Sequence, residues 1–284
     1  MIATLNCPAA SLRWSRLRAL QFGATPGRFI RSLLFLAALA SAIPGRAESS
    51  IATNQLSISG RARQRFFEAQ TELRAHPEID EVAIKFARNA FDWADFSSDN
   101  HSREEIALQG IEACRALIER RPKSAAGHYY LALNLGQLAQ TKSLGALKLV
   151  SEMEKEFQIA RGLDEDLDFA GPDRGLGLLY SEAPGWPTSI GSRSKARNHL
   201  QRAVLLKPNY PENRLTLLEA YLKWSDQTGS SHEFQALKEL WPDAKKEFSG
   251  EQWESSWVDW NKRWGKIQAR LPIDKILESP RSKK

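Results

Sequence analysis

Two cysteines are all that the 284-residue sequence contains. Cys7 sits in an N-terminal segment with the marks of a removable leader, which leaves Cys114 alone in the body of the chain. A lone cysteine makes no internal disulfide, so the fold must stand on its core. Cys114 shares a helical apolar face with Ile111, Leu117 and Ile118, the setting of a small buried hydrophobe rather than a reactive thiol. Runs of alternating β-branched residues are missing, which argues against a sheet protein. Long apolar runs are missing too. The stretch from Leu33 to Ile43 has about 11 residues, against the ~20 a helix needs to cross a bilayer.

Catalytic and metal-binding signatures are equally scarce. The five histidines, His76, His101, His128, His199 and His232, show neither H-x-x-H nor H-E-x-x-H spacing. There is no G-x-S-x-G, no P-loop and no cysteine pair for a metal. The acidic run Asp164-Glu165-Asp166-Asp168 lacks the glycine and terminal glutamate of an EF-hand loop and reads as a solvated inter-helix loop. Gly175-x-Gly177 belongs to a helix start, not to a dinucleotide fingerprint. The expectation is a non-enzymatic protein with no cofactor and no metal.

The net charge of +6 first points toward nucleic acid, but its distribution points away. Six arginines (Arg13, Arg16, Arg18, Arg28, Arg31, Arg46) and no acidic residue lie in 1–47. Taking those six from the 40 basic residues leaves 34, matched by 34 acidic ones. A body with no formal net charge exerts no general pull on a polyanion.

Arg28 and Arg31 precede the apolar run, and Ala40-Ser41-Ala42 and Gly45-Arg46-Ala47 follow it. That order is the n-region, h-region and A-x-A-like site of a secretory signal. Residues 1–47 are therefore expected to be a signal segment, cleaved near Ala42 or Ala47, that delivers the chain to the periplasm. An organellar transit peptide and an uncleaved membrane anchor are the alternatives. Residues 48–60 read as a flexible leader.

After the leader, helical periodicity dominates. Helices are predicted over 61–75, 80–96, 102–120, 124–140, 143–162, 173–181, 192–206, 211–226, 232–247 and 251–270. Ser102 followed by Glu105 reads as a capping box. Pro122, Pro208 and Pro242 fall at or beyond helix ends. Short helices on short loops favour antiparallel neighbours.

The hairpins also repeat. Ala196-x3-Leu200-x2-Ala203-x4-Pro208 has the pattern of a tetratricopeptide second helix, in which small residues let paired helices approach. Gly177-x2-Tyr180 fits the first helix before it. Leu217, Leu218 and Tyr221 fit the following first helix. Met153-x3-Phe157-x2-Ala160 repeats the second-helix pattern. His128, Leu131, Ala132 and Leu135 fit a further first helix. Insertions near 140–145 and between Tyr180 and Ala196 map to one face of a solenoid. The expected fold is all-α, a tetratricopeptide-like helical-hairpin array (an α-solenoid) over 61–247 with inserted loops. A Trp-rich capping helix and tail fill 248–284.

The stretch from Ala170 to Tyr180, then Ala183-Pro184-Gly185-Trp186-Pro187, Ser189-Ile190-Gly191, Ala196 to Pro208 and Asn209 to Asn213, resembles the T-component family of TRAP-type transporters. These are periplasmic tetratricopeptide-like proteins. The resemblance covers about residues 80–245. It implies a helical-hairpin fold, docking of a periplasmic solute-binding protein, and a central opening for a small organic solute. Members are often lipoproteins, and this chain lacks the lipobox.

Three features are candidate contact sites. The loop Glu182–Arg193 holds Trp186 among prolines and glycines, either as a partner contact or packed back onto its hairpin. Arg174, with Tyr129 on the equivalent stripe of an earlier unit, falls on the concave face. It either grips a carboxylate or forms a structural ion pair with Asp173 or Asp168. Tyr180 and Arg193 border the same region. Trp253, Trp257, Trp260 and Trp264 share one helical face, which suits a terminal cap, a partner-docking helix or a membrane-surface helix. The resemblance favours docking of a solute-binding protein. A generic exported scaffold that binds envelope proteins is the rival, and a homo-oligomer is left open.

Overall fold

The computed structural model describes residues 57–142 and 145–270. The expected signal segment and its cleavage sites, most of the leader, and the tail beyond Arg270 lie outside the described residues. Among these described residues ten helices follow in order: α1 (Ile58–Ala75), α2 (Asp80–Ala94), α3 (Asn100–Arg120), α4 (Ala125–Ala139), α5 (Ala146–Leu163), α6 (Leu167–Glu182), α7 (Arg193–Leu206), α8 (Pro211–Lys223), α9 (Gln227–Glu247) and α10 (Glu254–Arg270). A 3-10 turn, Glu251–Trp253, leads into α10. No strand is found among the described residues.

Side-chain oxygens that accept a backbone N–H start several of these helices. Ser124 accepts from Gly127, Ser192 from Lys195 and Asp226 from Gly229, at 3.1, 3.3 and 2.9 Å. Pro211 opens α8, where its missing N–H costs nothing. Several starts differ from expectation: α6 begins at Leu167 rather than 173, and two others are set by an aspartate cap. Asp99, not Ser102, caps α3: its carboxylate accepts from the Ser102 amide (2.8 Å) and hydroxyl (2.9 Å), so Ser102 lies in the first turn as a donor. Asp226 likewise starts α9 five residues earlier than 232. Pro122 and Pro208 stand beyond α3 and α7, but Pro242 lies inside α9. There Trp241, stacked on Trp264 at 5.5 Å, holds the turn that the proline weakens.

The helices pack as consecutive hairpins, α2 with α3, α4 with α5, α6 with α7 and α8 with α9. The first helices α2, α4, α6 and α8 also touch one another in sequence, and α10 adds to that row against α8. Close approach rests on small residues. A Cβ placed on Gly177 would lie 2.6 Å from the Leu200 side chain, so this α6–α7 joint closes only around glycine. Ala196 and Ala203 are buried on the other side of it.

Arg61 in α1 donates to the Glu254 carboxylate at the start of α10, at 2.5 Å. The first and last of the described helices therefore meet.

Candidate functional site

Helix α6 begins with an unusual turn. Asp168, Phe169 and Ala170 all have left-handed backbones, with φ of 52°, 55° and 62°. For L-residues this costs roughly 1–2 kcal/mol each, so something must hold the turn in place. Arg174, one turn further on, does so. Its Nη1 donates to the Phe169 carbonyl (3.1 Å) and to Asn213 Oδ1 (2.7 Å). Its Nη2 donates to the Asp168 carbonyl (3.2 Å) and carboxylate (3.1 Å). Tyr129 donates its hydroxyl to the same carboxylate at 2.5 Å. Asn213 in α8 returns a bond to the Phe169 carbonyl at 3.0 Å. The Phe169 ring stacks on Tyr210 at 4.4 Å.

The structure thus brings Tyr129 and Arg174 together on Asp168, and neither reaches solvent. Of the two alternatives for Arg174, the ion pair with Asp168 is the one that forms. Asp173, the other proposed partner, is wholly buried and takes His199 (2.7 Å) and Arg161 (3.2 Å) instead. Asp168 is not in a solvated loop as expected, since its side chain is enclosed. Burial pushes its carboxyl up, against the opposing Arg174 charge. Burial likewise pushes the Tyr129 phenol up, helped by Asp168. This node holds the entry to α6 against α4 and α8.

The connection between α6 and α7 is different in character. Gly191 donates to the Pro184 carbonyl (2.8 Å) and Ser192 to the Tyr180 carbonyl (2.9 Å). Thr188 and Ser189 both donate to the Gly185 carbonyl, at 3.1 and 3.2 Å. A Cβ on Gly191 would stand 2.1 Å from the Ala183 carbonyl oxygen, so only glycine closes the loop's foot. Held in this way, Trp186 at the tip is 88% exposed. It does not pack back on the hairpin.

Tyr180 lies at the loop's base. Its hydroxyl donates to Glu154 at 2.6 Å, and Lys195 sits 4.8 Å above its ring. Burial, then the bond to Glu154, raises its phenol to about 12. Arg193 donates to the Trp224 carbonyl (3.1 Å) and lies over the Trp224 ring at 5.4 Å. Arg193 and Tyr180 therefore flank the loop that carries Trp186, while Tyr129 and Arg174 belong to the enclosed node.

Trp253, Trp260 and Trp264 are buried and Trp257 is half-buried. They pack with Phe234, Trp241 and Phe248 of α9 and its end, and with Tyr210. The anchor is Glu212, 1% exposed, at the start of α8. It accepts from Trp260 Nε1 and from Arg263 Nη1, each at 2.7 Å. Burial opposes its ionisation, but Arg263 and Arg174 hold its carboxyl below the usual glutamate range. The sequence reading missed Glu212, Arg263, Tyr210 and Asn213. Arg263 stands one residue before Trp264, off the aromatic stripe, and its partners Glu212 and Glu219 lie 51 and 44 positions away. Cys114 is buried, with its thiol pushed up by that burial. Among the described residues, no group of three His, Cys, Asp or Glu side chains is placed to hold a metal. No helix among them is long and apolar enough to cross a membrane.

The chain resembles the crystal structure of TTC0263, a thermophilic TPR protein in Thermus thermophilus. The TM-score is 0.56 at 17% sequence identity, over 74% of this chain and 92% of that one. The crystal structure of yeast Tom70 matches at a TM-score of 0.27 and 13% identity, over 78% of this chain and 63% of the other, too little to build on. No family model and no curated protein matches. The shared feature is the fold: an all-α helical-repeat solenoid of tetratricopeptide type.

Proposed function

We propose that this is a non-catalytic scaffold that binds other proteins of the cell envelope, and that the loop between α6 and α7 is its principal contact. One observation carries the reading. A single tryptophan stands 88% exposed at the tip of a loop tied down by backbone hydrogen bonds. Exposing a large ring on a rigid support fits a side chain whose burial is completed by a partner. Tryptophan and arginine dominate the energetics of such contacts, and a rigid loop lowers the entropy lost on binding. The arginine-rich N-terminal segment with its short apolar run supports export to the periplasm.

A narrower version has the sequence resemblance over residues 170–213 behind it. In that version the partner is a periplasmic solute-binding protein of a TRAP-type transporter. Passage of a small organic solute would need a route other than the Arg174 node, where the guanidinium is already committed to Asp168, Phe169 and Asn213.

Photo-crosslinking tests both. A benzophenone amino acid placed at position 186 in the exported full chain should yield a discrete protein adduct. A solute-binding protein in that adduct supports the narrower version, and another envelope protein supports the scaffold. An absence of any adduct, with the protein folded, counts against the proposal.

A further inference from the structure

Resting on the scaffold reading, the geometry around Trp186 points to the kind of partner: we infer that the loop grips an acidic segment of a protein, with Trp186 entering an apolar spot between carboxylates. The observation is an asymmetry in exposure around the loop's foot. Cations stand out and anions are sunk. Lys223 donates to the Ser181 carbonyl and to Glu182, and its side chain is 48% exposed against 15% for the carboxylate. Lys195 lies over Tyr180 and is 58% exposed, against 20% for Glu154, 3.9 Å away. Arg197 pairs with Asp226 at 37% against 20%. Arg193 is exposed and donates to the Trp224 carbonyl, not to a carboxylate.

Helix α7 contains no acidic residue, and its start, at the loop's foot, carries Arg193, Lys195 and Arg197. An approaching surface therefore meets ammonium and guanidinium groups first, with the neutralising carboxylates behind them. A charge arranged in this way steers an acidic partner and repels a basic one. Arg193 and Arg197 are held over the Trp224 ring, at 5.4 and 5.7 Å, which restrains their guanidinium groups where an incoming carboxylate can meet them. A protein segment fits better than a lipid surface, because one projecting ring offers a point of insertion rather than an apolar face. It fits better than a nucleic acid, because stacking along a strand needs successive aromatic platforms.

The test is a selection of random twelve-residue peptides displayed on phage against the full chain, with the Trp186→Ala protein as counter-selection. The enriched pool should carry a net negative charge with apolar residues among the acids. Representative synthetic peptides should bind at least tenfold more weakly to the Arg193→Glu/Lys195→Glu protein, and more weakly as salt rises. No enrichment over the Trp186→Ala protein, or a neutral or basic pool, overturns the inference. So does tighter binding of phosphatidylglycerol vesicles or of an oligothymidine strand than of any selected peptide. The crosslink at position 186 separates this from the scaffold reading. An adduct that survives Arg193→Glu/Lys195→Glu unchanged leaves the scaffold standing and removes the acidic partner, whereas loss of the adduct in that variant supports it.

Discussion

Replacing Glu212 by glutamine probes the joint that docks α10. The carboxylate accepts from Arg263 and from the Trp260 indole, both at 2.7 Å, and from Thr216 at 3.1 Å. Glutamine keeps the shape but removes the charge, leaving Arg263 with the carboxylates of Glu219 and Asp259. Truncating one partner of a buried ion pair costs about 3–5 kcal/mol, and the two remaining carboxylates should hold the loss to about 2–3 kcal/mol. For a domain of this size that lowers the melting temperature by roughly 5–10 °C. The loss must depend on pH in a definite sense. The folded carboxyl lies below its ordinary value of 4.5, because the opposing effect of burial is outweighed by Arg263 and Arg174. Its contribution is complete above the unfolded value and fades as pH falls through the lower folded value. Urea unfolding followed by circular dichroism should show the full gap between the two proteins at neutral pH. The gap should narrow once the medium falls below about pH 4. A loss under ~1 kcal/mol at neutral pH, or a gap that acid leaves unchanged, would show that the Glu212 charge does not hold α10 in place.

Arg174→Lys should cost about 3 kcal/mol or more in urea unfolding, because an ammonium cannot bridge Asp168, Phe169 and Asn213 at once. Gly177→Ala gains about 1 kcal/mol of helix propensity but forces a methyl against Leu200. A net loss of about 1–2 kcal/mol in thermal melts is expected, and a higher melting temperature would show the joint to be loose. Trp186→Ala should leave stability within about 0.5 kcal/mol while abolishing selected-peptide binding by fluorescence anisotropy. Burial raises the Asp92 carboxyl to about 6, and its Oδ1 has no hydrogen-bond partner. A raised acid destabilises the fold as pH climbs through that range, so Asp92→Asn should raise the urea midpoint at neutral pH and lose that advantage in acid.

The hairpin units were legible because their joints need small residues at fixed spacing. Gly177, Ala196 and Ala203 declare close approach in the sequence itself, and the four hairpins follow. Asp99 as cap of α3 was overshadowed by Ser102, which offers a similar side chain three positions on. The turn at Asp168–Ala170 could not be read. Left-handed backbones are normally signalled by glycine or asparagine, and here aspartate, phenylalanine and alanine occupy them because Arg174 and Asn213 hold the carbonyls. Asn213 lies 39 positions from Arg174, and nothing local announces it. The loop at Trp186 was visible as an insertion with prolines and glycines. The outward direction of its ring was not, because it depends on bonds to Tyr180 and Pro184 that form only once the hairpin has closed.

The contact of Arg61 with Glu254 changes what kind of mechanical object this protein is. A stack of repeats with loose ends is a spring, in which each unit answers only to its neighbours. A stack whose ends touch is a hoop with a clasp, and the tilts of successive hairpins must add up to a fixed turn. A change at any joint is then felt at the clasp. The ion pair in that clasp is partly solvated, worth about 1 kcal/mol or less and weakened by salt. The hoop therefore has a built-in place to part, and raising the ionic strength should widen it there before any helix melts.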